Sequence, residues 1–351
     1  MRRKGLIALL AVVAAGCGPL SESAGAPASI PASANPSTPG SGAASSASAS
    51  PAWEEVELPA AQELGDRAIA TIELDAPVCG LAANESALWV TLVGSGSVIE
   101  IDAATNTVRR ELTSFDTDAC TIAWAGGALW VATFQDLIQQ IQRVDPATGE
   151  VTGTIDFTLS SSIFAMEAGP GGLWVLNRQR EEVYLVDTDA AEIAETYAVG
   201  YGASDMDVTE EAVWVTSDVS GGIDRIDIAS GEVTNAPVAS PSGVAVDDRG
   251  VWAYAPVDRQ LSVLSPRTFD LVAAWQFDFA TGQPDAIGGI VWMPSPDGAL
   301  LAFHSGKGGA AAVFLVPEGL DRAKAALDDL WLFGQLPGLL RIEPSDLEPP
   351  A

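Results

Sequence analysis

The chain has 351 residues, with 47 Asp and Glu against 17 Lys and Arg, and 48% of its residues are hydrophobic. That apolar content supports a globular core and excludes an intrinsically disordered chain. The net charge of −30 argues against nucleic acid or an anionic lipid surface as a partner.

The N-terminus, "MRRKGLIALLAVVAAGC", places Arg2, Arg3 and Lys4 before an apolar run that ends in small side chains at Cys17. The run is too short for a spanning helix, so residues 1–17 read as a secretory signal. Its end, "AAGC", resembles the bacterial lipobox, with Ala14 where that pattern prefers Leu. The resemblance implies lipidation of Cys17 and an anchored chain on the extracellular side of the cytoplasmic membrane, touching the membrane through the lipid alone. Ordinary cleavage nearby would remove the anchor and keep the compartment. Loss of the three basic signal residues leaves 14 basic against 47 acidic side chains, a net −33. Such self-repulsion favours a soluble monomer.

Residues 18–52 are almost wholly Ser, Ala, Pro and Gly, with one charge at Glu22. They cannot bury enough apolar surface to offset their ordering entropy, and predict a flexible tether. As a random coil it would reach roughly 30–35 Å. The remainder, residues 53–351, carries the folded domain.

That domain is repetitive. A Trp inside an apolar word recurs at Trp89, Trp130, Trp174, Trp214, Trp252, Trp292 and Trp331, with intervals of 38 to 44 residues. After the earlier copies come the turns "DAATN", "DPATG", "DTDAA" and "DIASG", opened by Asp102, Asp145, Asp187 and Asp227, with Ser265 in the same role in "SPRTF". A side-chain oxygen at the first turn position accepts from the backbone two residues on, and Gly or Asn supplies the positive φ that closes a hairpin. Apolar residues lie one and four positions before each Asp corner, as Val144 and Ile141 do before Asp145. In a strand that spacing puts them on opposite faces, so the sheets are buried on both sides.

In the second copy the strands read "CTIAWA", "ALWVAT", "LIQQIQRV" and "VTGTIDF". Four short strands per repeat of about forty residues describe a β-propeller blade. The expected fold is all-β, a seven-bladed β-propeller. The seventh copy lacks a fourth strand, and "RAIATIEL" at 67–74 precedes the first copy as an outer strand would. This N-terminal strand is expected to complete the last blade and close the ring.

The pattern "G-x-LWV … IDP-x-TG-x-V" resembles the β-propellers of the streptogramin lyase and YVTN-type surface-layer group over about residues 67–345. The "D-x-x-TG-E" corner at Asp145, Thr148, Gly149 and Glu150 also resembles the quinoprotein dehydrogenase blade motif. It lacks that motif's following Trp, so pyrroloquinoline quinone is not implied. The lyase resemblance implies a His base, a nearby Glu and a divalent cation at the central face. The single His, His304 in "LLAFHSGKGG", has no companion motif, so the lyase constellation is not reproduced.

Other candidate chemistry is sparse. The seven Trp share one strand position and are expected to pack blade against blade rather than stack on a ligand. Asp205 and Asp207 in "ASDMDV" are expected to open an innermost strand and line the channel, where they are candidates for a cation such as Ca²⁺ or Mg²⁺. Asp116 and Asp118 form a second acidic pair, and neither pair matches a dedicated calcium loop. Cys79 and Cys120 each lie 10 residues before their Trp, at equivalent positions in adjacent blades. They are a candidate disulfide, the alternative being two buried free thiols. No phosphate loop, nucleophile elbow or His-rich metal motif is present. The reading is a non-catalytic binding or protein-interaction module facing an envelope ligand or protein, with no catalytic residue and no dedicated cofactor assigned. The alternatives are a propeller enzyme with its site at the central channel and a structural envelope component.

Overall fold

The computed structural model describes residues 54–344 apart from 136–137, 158–160, 248, 280 and 305–308. The expected signal, Cys17 and the Ser/Ala/Pro/Gly tether lie outside the described residues. Those described belong to one compact unit, Ala49–Ala351. Among the described residues the regular structure is β-strand apart from a short 3₁₀ turn at Gly65–Arg67. Among the described residues no helix is long and apolar enough to cross a membrane.

Each repeat folds as an antiparallel meander. In the second, Ala119–Ala125, Ala128–Gln135, Ile138–Val144 and Val151–Asp156 lie side by side in chain order. The Trp sits in the second strand, and the Asp corner joins the third to the fourth. At Asp145 the carboxylate Oδ1 accepts from the amides of Ala147 and Thr148 at 2.7 and 3.0 Å. Gly149 supplies the positive φ of 78°. These backbone bonds hold the Asp145 carboxyl below the usual carboxylate range, and the same cause acts at Asp187.

The described strands form six sheets. Two of them gain a fifth strand from the N-terminal segment: Glu54–Glu55 runs parallel to Trp275 and Gln276, and Gln62–Glu63 runs parallel to Phe314 and Leu315. A third sheet has seven strands because Ala68–Ala83, 16 residues long, belongs to two meanders. Its first half pairs with Pro337–Ile342, and its second half pairs with Ala87–Leu92. The strand expected at 67–74 therefore continues without a break into the first repeat. Pro77, which has no N–H to give, sits where the strand changes partner, and its carbonyl accepts from Val93 at 2.8 Å.

The core lies between sheets. Trp130 clusters with Leu173, Val175 and Val186 of the next meander, and Trp174 with Val213, Val215 and Ile226. Trp214, Trp252 and Trp292 continue the series, each joined to the following repeat. Trp331 returns it to the start, packing with Val78, Leu88, Val90 and Ile101. All seven repeat Trp are at most 3% exposed, which explains why one large apolar residue is kept at this strand position. Each full burial contributes roughly 1.5–3 kcal/mol or more.

Candidate functional site

The first strand of each meander lies innermost, and each contacts its successor from Ala68–Ala83 round to Leu320–Ala326, which contacts Ala68–Ala83 again. The space they surround holds two cavities, of about 950 and 510 Å³. Glu167 and Lys324 line both. Their ion pair, Nζ to Oε1 at 2.8 Å, joins strands 157 residues apart in sequence and marks the waist between the cavities.

Four further charged groups of the inner strands are tied to the next strand round. Asp205 accepts from the amides of Val244 and Met206, both at 3.0 Å, and Asp207 from Val246 at 2.6 Å. Asp285 accepts from Ala325 at 2.7 Å, and Arg322 donates to the carbonyl of Cys79 at 2.6 Å. Cys79 and Cys120 continue the chain of links: their Cα atoms are 5.0 Å apart and their sulfurs are bonded. The pair thus staples the inner strands of the first two repeats.

The electrostatics follow from this crowding. Burial pushes the Asp205 carboxyl up to about 7, against two amide hydrogen bonds that favour its charged form. Burial, with the neighbouring charges of Glu167 and Asp285, also holds Asp207 well above the usual carboxylate range. Lys324 is held upward, above an ordinary lysine, chiefly by Glu167 and then by Asp285 and Asp207. Water still reaches it, since its side chain is 43% exposed.

A pH dependence follows. A carboxyl raised in the folded state keeps a proton that the unfolded chain has released, so Asp205 makes stability fall as pH rises from about 4 through about 7, and Asp207 acts in the same direction. Asp207 has only one oxygen engaged with an amide, and an Asn oxygen can take that bond. Asp207→Asn is expected to raise stability at pH 8 above that of the parent and to flatten the fall between pH 5 and pH 8. Urea titrations at pH 5 and pH 8 check this; an equal or lower stability at pH 8 would refute it.

Asp205 and Asp207 stand where the spacing expects them, on the inner strand Ala203–Val208, beside the smaller cavity. Both oxygens of Asp205 and one of Asp207 accept from backbone amides, and among the described residues no group of three or more His, Cys, Asp or Glu is placed to hold a metal ion. Asp118 lines the same cavity and is exposed, and Asp116 is exposed away from it. His304 ends the strand Ala299–His304, opposite Ile290 and Gly309, and lines neither cavity. Glu167, Asp285, Arg322 and Lys324 escaped the sequence reading. Their signal was a charged residue inside otherwise small or apolar inner strands, in "FAMEAG", "DAI" and "LDRAKAA".

The chain resembles solved β-propeller structures. Against "Crystal structure of RRP9 WD40 repeats" the TM-score is 0.68 at 11% identity, covering 80% of this chain and 98% of that one. A streptogramin B lyase structure gives 0.62 at 14%, covering 78% and 96%. BamB from Moraxella catarrhalis gives 0.60 at 14%, covering 78% and 84%. No protein-family model and no curated protein matches the sequence. The fold is a β-propeller, and identities this low speak to fold alone.

Proposed function

We propose that this chain is a secreted, lipid-anchored propeller of seven blades that works by binding rather than by catalysis. The seven-stranded sheet is read as two blades sharing the strand Ala68–Ala83, whose first half closes the last blade. Its pairing with Pro337–Ile342 and the return of the Trp331 cluster to the first repeat support that reading. Cys17 is the proposed lipid site.

The observation that carries the binding role is the use made of the channel's ionisable groups. Asp205, Asp285 and Arg322 are engaged by neighbouring backbone, Asp207 is held by it through one oxygen, and Lys324 and Glu167 are engaged by each other. A general acid or base must instead be free to exchange a proton with a substrate. Exposed apolar side chains support an interaction role: Val93, Phe134, Tyr201, Val219 and Val257 are 49–85% exposed. They lie in or beside links that all leave the meanders at the same end, between second and third strands or before a first strand.

The test pairs a turnover assay with a binding assay on the purified chain. Streptogramin B with Mg²⁺ is expected to remain intact, while a wall-glycan or envelope-protein fraction raises the unfolding midpoint. Saturation at a hundred times Kd adds about 2.7 kcal/mol. Ring opening of the lactone would replace this reading with an enzyme, and no shift with any fraction would leave a purely structural envelope role. Cys17→Ala is expected to release the chain from the membrane fraction.

A further inference from the structure

The inner strands repeat, so a residue that breaks their repetition is informative. The residue paired with the one before each repeat Trp is Ala83, Trp124, Ala168, Val208, Val246, Ala286 and Ala325 in turn. Six are small and one is an indole. Trp124 packs on the cluster around Trp89, a contact that the same position elsewhere makes with Ala or Val or leaves out. Trp124 is half-buried and stacks on Trp89 with ring centroids 5.1 Å apart and planes 5° apart. Trp89 is 3% exposed, so the platform behind Trp124 is rigid, and Trp124 itself lines the 950 Å³ cavity.

The groups around this indole suit hydroxyls. Asn84 uses its Oδ1 to accept from Ser86 and Ala87, which fixes the amide and leaves its Nδ2 as a donor. Glu85 and Asp328 also line the cavity, are exposed, and make no hydrogen bond or ion pair with the described chain. The cations are already engaged: Arg109 by Glu100 and Asp102, both at 2.6 Å, Arg341 by Asp329, and Lys324 by Glu167. Two uncompensated carboxylates beside neutralised cations repel an anion.

We infer that this cavity is a glycan site in which an uncharged pyranose stacks its C–H face on Trp124. The electron-rich ring face attracts polarised C–H groups. Equatorial hydroxyls at the rim of a pyranose donate to Glu85 and Asp328 and accept from Asn84. The volume lies at the upper end of the roughly 300–1,000 Å³ range of ligand pockets, room for more than one sugar unit. Nucleotides and uronates share the flat shape but bring negative charge, and the site disfavours them. The inference rests on the binding role proposed above and supplies its ligand class.

Isothermal titration of the full chain would use tetrasaccharides of β-1,4-linked glucose, β-1,4-linked N-acetylglucosamine and α-1,4-linked glucose, with a tetragalacturonate as the anionic probe. At least one uncharged probe is expected to bind with Kd of about 1 mM or below and to shift tryptophan emission. Trp124→Ala installs the residue that equivalent strands carry and should fold, as its near-ultraviolet dichroism and melting would show. It is expected to weaken binding at least tenfold and to abolish the emission change, with Trp124→Phe between the two. Val272→Ala, at an exposed position that lines neither cavity, should bind as the parent does. No saturable binding of any uncharged probe up to about 10 mM, equal binding by Trp124→Ala, or a preference for the galacturonate would each overturn the assignment. A midpoint shift with an envelope-protein fraction in the absence of sugar binding would overturn the glycan site alone and leave the binding role standing.

Discussion

Removal of residues 54–74 is expected to destabilise the domain by about half or more of its stability and to broaden its unfolding. The lost segment contributes Ile72, paired with Leu339 and 4% exposed, and Thr71, Ala70 and Ala68, paired with Leu340, Arg341 and Ile342. Four ladder positions at about 1 kcal/mol each and one buried Ile at about 3 kcal/mol amount to roughly 7 kcal/mol. That is within the whole stability of an ordinary domain, about 5–15 kcal/mol. The truncation also leaves Pro337–Ile342 as an unprotected edge next to the Trp331 cluster, which invites association between chains. Urea unfolding of residues 51–351 against 75–351 reads the effect as a lower midpoint and a shallower slope. A peptide spanning 54–77, added in trans, should restore part of both. A truncated chain that melts within a few degrees of the parent would show that the segment is an accessory and not a closure.

The second large effect is expected at Trp174. The residue is fully buried, donates from Nε1 to the Pro170 carbonyl at 3.1 Å, and lies 5.7 Å from Tyr197 between ring centroids. Its cluster takes Leu176 and Val183 from one meander and Met206, Val213 and Val215 from the next, so truncation opens a void between two sheets. Trp174→Ala should destabilise by about 3–5 kcal/mol. The half-buried Trp124 should tolerate the same change with a far smaller loss. Equal losses at both, measured by denaturant titration, would mean that Trp124 is a packing residue like the others.

The legible parts of this molecule were those repeated along the chain. A Trp kept at intervals of 38 to 44 residues exposes its packing role because each copy corroborates the next. Corners opened by Asp102, Asp145, Asp187 and Asp227 carry local hydrogen-bond chemistry that needs no tertiary context. The two short strands at Glu54–Glu55 and Gln62–Glu63 were illegible for the opposite reason: two residues have no periodicity, and both lie on parallel edges formed by chain more than 200 residues away. The Lys324–Glu167 pair was hidden too, since no local pattern joins residues on opposite sides of a ring. Trp124 was visible in "CTIAWA" but lay outside the repeated word, and only the strand register shows that its equivalents are Ala or Val.

The N-terminal segment has a mechanical consequence. A pull on the start of the domain would first load the two-residue ladders at Glu54–Glu55 and Gln62–Glu63. These lie at sheet edges, and each is two residues long against the 16 of the strand behind them. The load would then reach Ala68–Ala83, which is held along its length by strands from both ends of the chain. Tension on this segment would thus be spent on two expendable fasteners before it tested the longer ladder with Pro337–Ile342.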